Sequence, residues 1–367
     1  MNEATKLYNK YGHKISRDNN IGLVRYILAI AVLVAHFNIL CDADIPWFVT
    51  SYDAVCGFFT LSGFLLIYPL LSGKSLRQFV IDRAWRLLPS YLFVVVIGAV
   101  LLSLISSLPS KEYFLSKDFW IYILTNVGTL NFLHPTLPGV FTGFAEPAVN
   151  GSLWTIKIEW QLSLSVPIFL FFIKKYKLNL RKTIVFILVS SIIYQLLFLY
   201  LYESQGKQIY NILSRQLFGQ LVFFYSGVML YTFYVQLKNY NYKPFLIIVI
   251  LFFVYKFSPL YDSPLYYIVY PFILSFFVIS ASLIPNDIAK KYIDRGHNIS
   301  YEIYLCHFPI LQTLAYFNIK DTIGQIPTLL LAFVFTLIAS VVTYAAVGHI
   351  YTSKKRKRAI KTQLKTI

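Results

Sequence analysis

The chain has 367 residues, 57% of them hydrophobic and 13% charged, with a formal net charge of +17. A soluble domain cannot hide that much apolar surface, and apolar runs of about 20 residues mean a helical protein that crosses a membrane many times. The positive charge follows from Lys and Arg retained in cytoplasmic loops, which excludes the nucleic-acid binding that the charge alone suggests.

Residues 1–20 are polar and carry Lys6, Lys10, Lys14 and Arg17, so they read as a cytoplasmic segment. No cleavable signal peptide is expected, because the first apolar run is too long for an h-region. That run, 21–41, is the first predicted span. It contains Arg25 and His36, 11 positions apart. At 3.6 residues per turn both leave one face, ~16 Å apart along the axis. Ionisable residues inside a span are functional candidates by default. The loop 42–53 holds Asp42, Asp44 and Asp53 with no Lys or Arg and is placed outside. A second span, 54–72, leads back to a cytoplasmic loop, 73–87, with Lys74, Arg77, Arg83 and Arg86. The third span, 88–108, has Pro89 in its first turn, where a missing N–H costs little.

Residues 119–133 are apolar but few. If they crossed, the next basic cluster would fall outside, so a re-entrant or interfacial segment is expected there. A Pro- and Gly-rich external loop, 134–151, follows. The fourth span, 152–173, comes in to Lys174, Lys175, Lys177, Arg181 and Lys182. Further spans are predicted at 183–202, 211–236, 244–258, 265–284, 299–318 and 327–351, with inner charges at Lys238, Lys243, Lys290, Lys291 and Arg295. This layout puts 25 of the 33 Lys and Arg inside and 4 in outer loops, which fixes the orientation. The expected fold is an all-α polytopic membrane protein with about ten transmembrane helices, one short re-entrant or interfacial segment and both termini cytoplasmic. Its expected divisions are the segment 1–20, a transmembrane domain 21–351 and a basic tail 352–367. Among the cysteines, Cys41 and Cys56 fall near the outer ends of adjacent spans, which leaves a disulfide open, and Cys306 reads as a small apolar filler.

Depth follows from position. His36 lies about five residues from the outer end of its span, Glu159 about seven into the fourth and Ser62-Gly63 about eight into the second. All fall ~7–12 Å below the outer boundary. His307, in SYEIYLCHFP, is about eight residues from the inner end of the ninth span. It is expected to be too far from His36 for contact, and either to line the inner half of a path or to cap carbonyls freed by Pro309. Plainer readings stand beside these. Arg25 can snorkel, His36 and Glu159 can form a structural pair, Ser62-Gly63 can be a packing notch, and Arg83 and Arg86 can be topology charges. Trp154 suits an aromatic belt, and Arg215 is a weaker candidate for touching an acceptor. No zinc spacing, P-loop, dinucleotide fingerprint or GxSxG elbow is present, so no metal is expected.

A neutral imidazole can take a proton from a hydroxyl as it attacks an acyl carbonyl, then return it to a leaving thiolate. A nearby carboxylate can fix the tautomer. Small residues and a hydroxyl can support an oxyanion, and inner-face arginines suit phosphates. These residues carry a resemblance. Arg25-x10-His36, FFTLSGFLL at 58–66, Arg83-Ala-Trp-Arg86 followed by Leu-Leu-Pro-Ser-Tyr, Ser-Leu-Trp-Thr-Ile-Lys-Ile-Glu159 and the SYEIYLCHFP run containing His307 are similar, in order, to the acyltransferase-3 family of integral-membrane acyltransferases. Many of these O-acetylate surface polysaccharides.

The resemblance spans almost the whole chain. It implies acetyl-CoA as donor, a cell-surface polysaccharide or lipid-linked glycan as acceptor, and the bacterial inner membrane as location. It also implies a catalytic His36 with Glu159, and needed roles for Arg25, Arg83 and Arg86. Ser62, Gly63 and His307 complete the expected donor-binding set. Lys157 is a local variation. Some relatives carry an appended extracytoplasmic esterase-like domain; none is expected after the tenth span, so transfer would be direct or through a partner. The competing reading is a proton-coupled glycan or lipid-linked sugar transporter, in which His36 and Glu159 relay protons. The absence of matched broken helices in the two halves counts against it. A third reading, a membrane scaffold, predicts a silent His36→Ala.

Overall fold

The computed structural model describes residues 3–16, 18–144, 146–239, 242–258, 265–286, 298–350 and 353, with backbone alone at 238–239 and 242–246. Arg17, Lys290, Lys291 and Arg295, the tail 352–367 apart from Ser353, and the side chains of Lys238 and Lys243 lie outside the described residues.

The described residues form helices and no strand. In chain order these are α1 (Glu3–Tyr11), α2 (Ile21–Leu40), α3 (Ser51–Leu71), α4 (Leu76–Leu101), α5 (Ser110–Leu115), α6 (Lys117–Val127), α7 (Trp154–Tyr176) and α8 (Leu180–Gln205). They continue with α9 (Gln208–Ser214), α10 (Leu217–Tyr231), α11 (Tyr234–Asn239), α12 (Tyr242–Lys256), α13 (Leu265–Leu283), α14 (Ser300–Tyr316), α15 (Ile319–Ile323) and α16 (Gln325–Thr343). Among the described residues seven helices are long and apolar enough to cross a membrane: α2, α3, α4, α7, α8, α13 and α16 with its π-helical extension. The other three predicted spans are present as shorter helices: α10 and α12 have 15 residues each and α14 has 17.

Local sequence explains several boundaries. The Asn179 side chain accepts from the Lys182 N–H at the start of α8, and Gly206 ends that helix in a left-handed conformation (φ 66°). The sixth predicted span is broken after α9. A Cβ on Gly219 would strike the Ser214 carbonyl, so only glycine lets α10 begin that close to the end of α9. The short apolar segment at 119–133 becomes α6, with 11 residues, and a 3-10 turn at Asn131–Leu133. At 1.5 Å per residue α6 is ~16 Å long and too short to cross.

Two expectations need correction. Residues 73–87 are not a loop: α4 starts at Leu76 and carries Arg77, Arg83 and Arg86 within it. Pro89 is interior to α4, where it forgoes one hydrogen bond inside a helix of 26 residues. Asp53 is not a loop residue either. It lies in the first turn of α3, wholly buried, 2.6 Å from the Lys256 ammonium.

The chain divides into two compact units. The first comprises Met1–Leu28, Tyr52–Val80 and Ile158–Arg295. Within it α3 and α10 meet backbone to backbone. A Cβ on Gly63 would strike the Phe224 carbonyl, and one on Gly227 the Thr60 carbonyl. Small residues allow this approach, the usual means of packing helices in lipid. The Asp53–Lys256 pair is also internal to this unit, with side-chain exposures of 0% and 7%. Lys256→Met removes the counter-charge of a buried carboxylate that also accepts from the Tyr266 hydroxyl at 3.4 Å, and is expected to destabilise by about 3 kcal/mol. Adding Asp53→Asn should restore most of the lost thermal midpoint, measured on detergent-solubilised protein; an unchanged midpoint in the single variant would contradict the pairing.

The second unit comprises Ala29–Ser51, Ile81–Lys157 and Gly296–Ile367. Its core brings Phe37 and Cys41 from α2 and the turn after it against Leu311 and Leu314 of α14 and Ala332 of α16. All three cysteines are free and buried, so Cys41 and Cys56 are not joined.

Candidate functional site

The second unit contains a histidine pair. His36 Nδ1 lies 2.8 Å from His307 Nε2. The rings are nearly coplanar (10°) with centroids 5.1 Å apart. That separation is the N···N distance plus two ring radii, so the rings meet edge to edge. The expectation that His307 is out of reach of His36 is therefore overturned. The two helices run parallel, since Cys41 meets the Leu311 carbonyl further along both. However, α2 begins 15 residues before His36 and α14 only seven before His307. Depth counted from the outer end for His36 and from the inner end for His307 assumes helices that start level, and these two do not.

The hydrogen-bond chain fixes both tautomers. His307 Nδ1 is 2.7 Å from the Tyr304 carbonyl, which can only accept. His307 Nδ1 therefore carries the proton. In a neutral ring its Nε2 is then an acceptor, so His36 Nδ1–H donates to it. A neutral His36 is left with an unprotonated Nε2. His307 is fully buried and His36 half-buried, so the outer ring is the one a reactant can reach. Phe308 meets His36 edge-on, with centroids 5.3 Å apart.

Pro309 shapes this part of α14. It has no N–H, so the Leu305 carbonyl lacks its helical donor. Asn150 Nδ2 supplies one at 2.8 Å. The cap is thus Asn150 and not His307, which uses its Nδ1 on the Tyr304 carbonyl.

In the first unit, the Ser62 hydroxyl donates to Glu159 Oε1 at 3.3 Å. Ser62 is buried and Glu159 half-buried. Gly63, beside them in sequence, packs against α10 as described. Arg25 is half-buried on α2 and belongs to this unit as well. Glu159 and His36 thus belong to different units, and the partner that fixes the His36 tautomer is His307.

Arg83 and Arg86 lie in the second unit, half-buried on α4. The Arg86 guanidinium sits 5.9 Å from the centre of the Tyr301 ring. One turn on, Ser90 donates to Glu302 Oε1 at 2.8 Å. Glu302 is 3% exposed, and its Oε2 has no hydrogen-bond partner. Sequence reading passed over Glu302, although an acidic residue in a predicted span was signal enough. It also passed over Asn150 and Tyr304. Lys157 lies over the Phe132 ring, 4.2 Å from its centre. Arg215 is exposed in the break between α9 and α10, its guanidinium 5.3 Å from the centre of the Tyr52 ring. No group of three or more His, Cys, Asp or Glu among the described residues is arranged to hold a metal ion.

Residues 18–345 match the acyltransferase-3 family, described as an acyltransferase domain. The chain is similar to an O-acetyl transferase of Shigella phage Sf6, at 22% identity over 93% of this chain and 96% of the phage protein. It is also similar to nodulation protein 10 of Rhizobium leguminosarum (28% identity over 45% of this chain) and to the peptidoglycan O-acetyltransferase OatA of Listeria monocytogenes (28% over 52%). Those alignments span 47% of nodulation protein 10 and 30% of OatA. No solved structure matches. The match over residues 18–345 covers the histidine pair, the Ser62–Glu159 contact and both α4 arginines, and the chain belongs to the acyltransferase-3 family.

Proposed function

We propose that this protein is an integral-membrane O-acyltransferase that moves an acetyl group from cytoplasmic acetyl-CoA to a hydroxyl of an extracytoplasmic cell-surface glycan. The observation that carries the reading is the chain Tyr304 carbonyl, His307, His36, which leaves His36 Nε2 as a base. In the proposed step His36 Nε2 takes the acceptor hydroxyl proton as the oxygen attacks the thioester carbonyl. The tetrahedral intermediate collapses, the C–S bond breaks, and the imidazolium returns the proton to the leaving thiolate. The products are an acetyl ester and CoA. His307 stabilises the imidazolium through its Nε2 lone pair, the part that sequence reading gave to a carboxylate.

Arg83 and Arg86 are proposed to hold the donor phosphates, a task that suits planar guanidinium groups. Arg25 is proposed to serve the donor as well. Glu159, oriented by Ser62, is proposed to be required for transfer. The proposed topology keeps both termini in the cytoplasm of a bacterial inner membrane, with α10, α12 and α14 joining the seven long helices as spans. The phage relative, matched over nearly the full length of both chains, is named for acetyl transfer, and transport finds no support in the family.

Purified protein given acetyl-CoA and the host's glycan should release free thiol and acetylate the glycan. Glycan movement without thiol release would support transport instead. Arg83→Ala with Arg86→Ala is expected to raise the KM for acetyl-CoA about tenfold or more with a smaller change in kcat, since two charge-assisted contacts are lost. An unchanged KM would make them topology charges.

A further inference from the structure

We propose that Asn150 is a positioning residue for the histidine pair; the inference rests on the acyl-transfer reading of that pair. Asn150 is 5% exposed and fully engaged. Its Nδ2 donates to the Leu305 carbonyl at 2.8 Å, and its Oδ1 accepts from the Ser152 hydroxyl at 2.6 Å and from the Ser152 N–H at 3.3 Å. The Leu305 carbonyl is the one Pro309 deprives of a helical donor, and it lies two residues before His307.

The residues beside Asn150 hold the same turn of α14. The Tyr304 hydroxyl donates to the Ser152 carbonyl at 3.0 Å and lies 2.7 Å from the Thr155 hydroxyl. The Tyr304 carbonyl is the acceptor for His307 Nδ1. A Cβ on Gly151 would come within 2.7 Å of the Phe308 ring, the ring that meets His36 edge-on. Residues 150–152 thus meet the Tyr304 hydroxyl, the Leu305 carbonyl and the ring at 308, on both sides of His307 in sequence.

A buried carbonyl without a donor is costly, so the Leu305 carbonyl beside Pro309 needs another partner. Without Asn150 the turn must shift to bond Leu305 another way. The His36–His307 hydrogen bond is 2.8 Å long, and such a bond weakens beyond about 3.2 Å. A displacement near 1 Å costs about 100-fold in rate. Asn150 touches no reacting atom in this scheme; it acts through the backbone that carries His307.

The test uses the full chain in detergent, with acetyl-CoA and the host's glycan. Asn150→Ala and Asn150→Asp both remove the donor, and the second keeps the Ser152 contacts. Both are expected to lower kcat about 10- to 100-fold with the donor KM within twofold of wild type. Pro309→Ala returns a backbone N–H to Leu305, so Asn150→Ala with Pro309→Ala should recover part of the lost kcat. Imidazole 15N spectra give a readout independent of turnover: the hydrogen-bonded His36 N–H signal should move or vanish in Asn150→Asp. Wild-type kcat, or an unmoved imidazole signal, in a folded Asn150→Asp protein would overturn the inference. Absence of transfer in the wild type would instead overturn the acyl-transfer reading.

Discussion

Replacing His36 by alanine is expected to lower acetyl transfer about 10²–10⁴-fold, the range that a positioned acid–base group supplies. The loss should lie in kcat. Alanine is a strong helix former, and His36 is only half-buried in the middle of the last turns of α2, so insertion and folding should survive. Thiol release from acetyl-CoA, measured beside the thermal midpoint, separates the two effects. His36→Gln fills similar space and lacks a titratable nitrogen, so it should be as inactive as alanine. Ordinary turnover in either variant would remove His36 as the base.

His307→Leu should cost nearly as much, about 10²–10³-fold in kcat, for a different reason. It leaves the His36 Nδ1–H without its acceptor, so the ring loses both its orientation and the preference for a bare Nε2. His307→Gln places a carbonyl oxygen near the lost Nε2 and should retain more activity than leucine. The donor KM distinguishes the roles. A His307 that fixes the tautomer leaves the KM unchanged, whereas a His307 that lines a donor path raises it. Equal activity in the leucine and glutamine variants would remove the acceptor role.

Much of this was legible in the sequence, for physical reasons that differ by residue. Long apolar runs must be helical in lipid, so α2, α3, α7, α8, α13 and α16 lie close to where hydropathy put them. Polar residues in those runs stand out, which is why His36, Ser62, Glu159 and His307 could be named. Ser62 and Glu159 were expected at one depth, and they share a hydrogen bond. The pairing of His36 with His307 is hidden because depth runs from the outer end for His36 and from the inner end for His307, and α14 starts late. Arg83 and Arg86 were read as loop charges because Pro89 resembles a helix start, while the helix in fact runs through it. The role of Asn150 could not be seen at all. It depends on a loop side chain finding one carbonyl 155 residues away in sequence, and no local pattern records that.

The measurement that bears most directly on His36 as the base of an acetyl transfer is mass spectrometry of the host's surface glycans in three strains: wild type, a strain lacking the protein, and one carrying His36→Ala at equal membrane abundance. The expected result is a glycan heavier by one acetyl group per modified hydroxyl in the wild type alone. A glycan of the same acetylated mass in the His36→Ala strain, or an identical mass in all three, would contradict it.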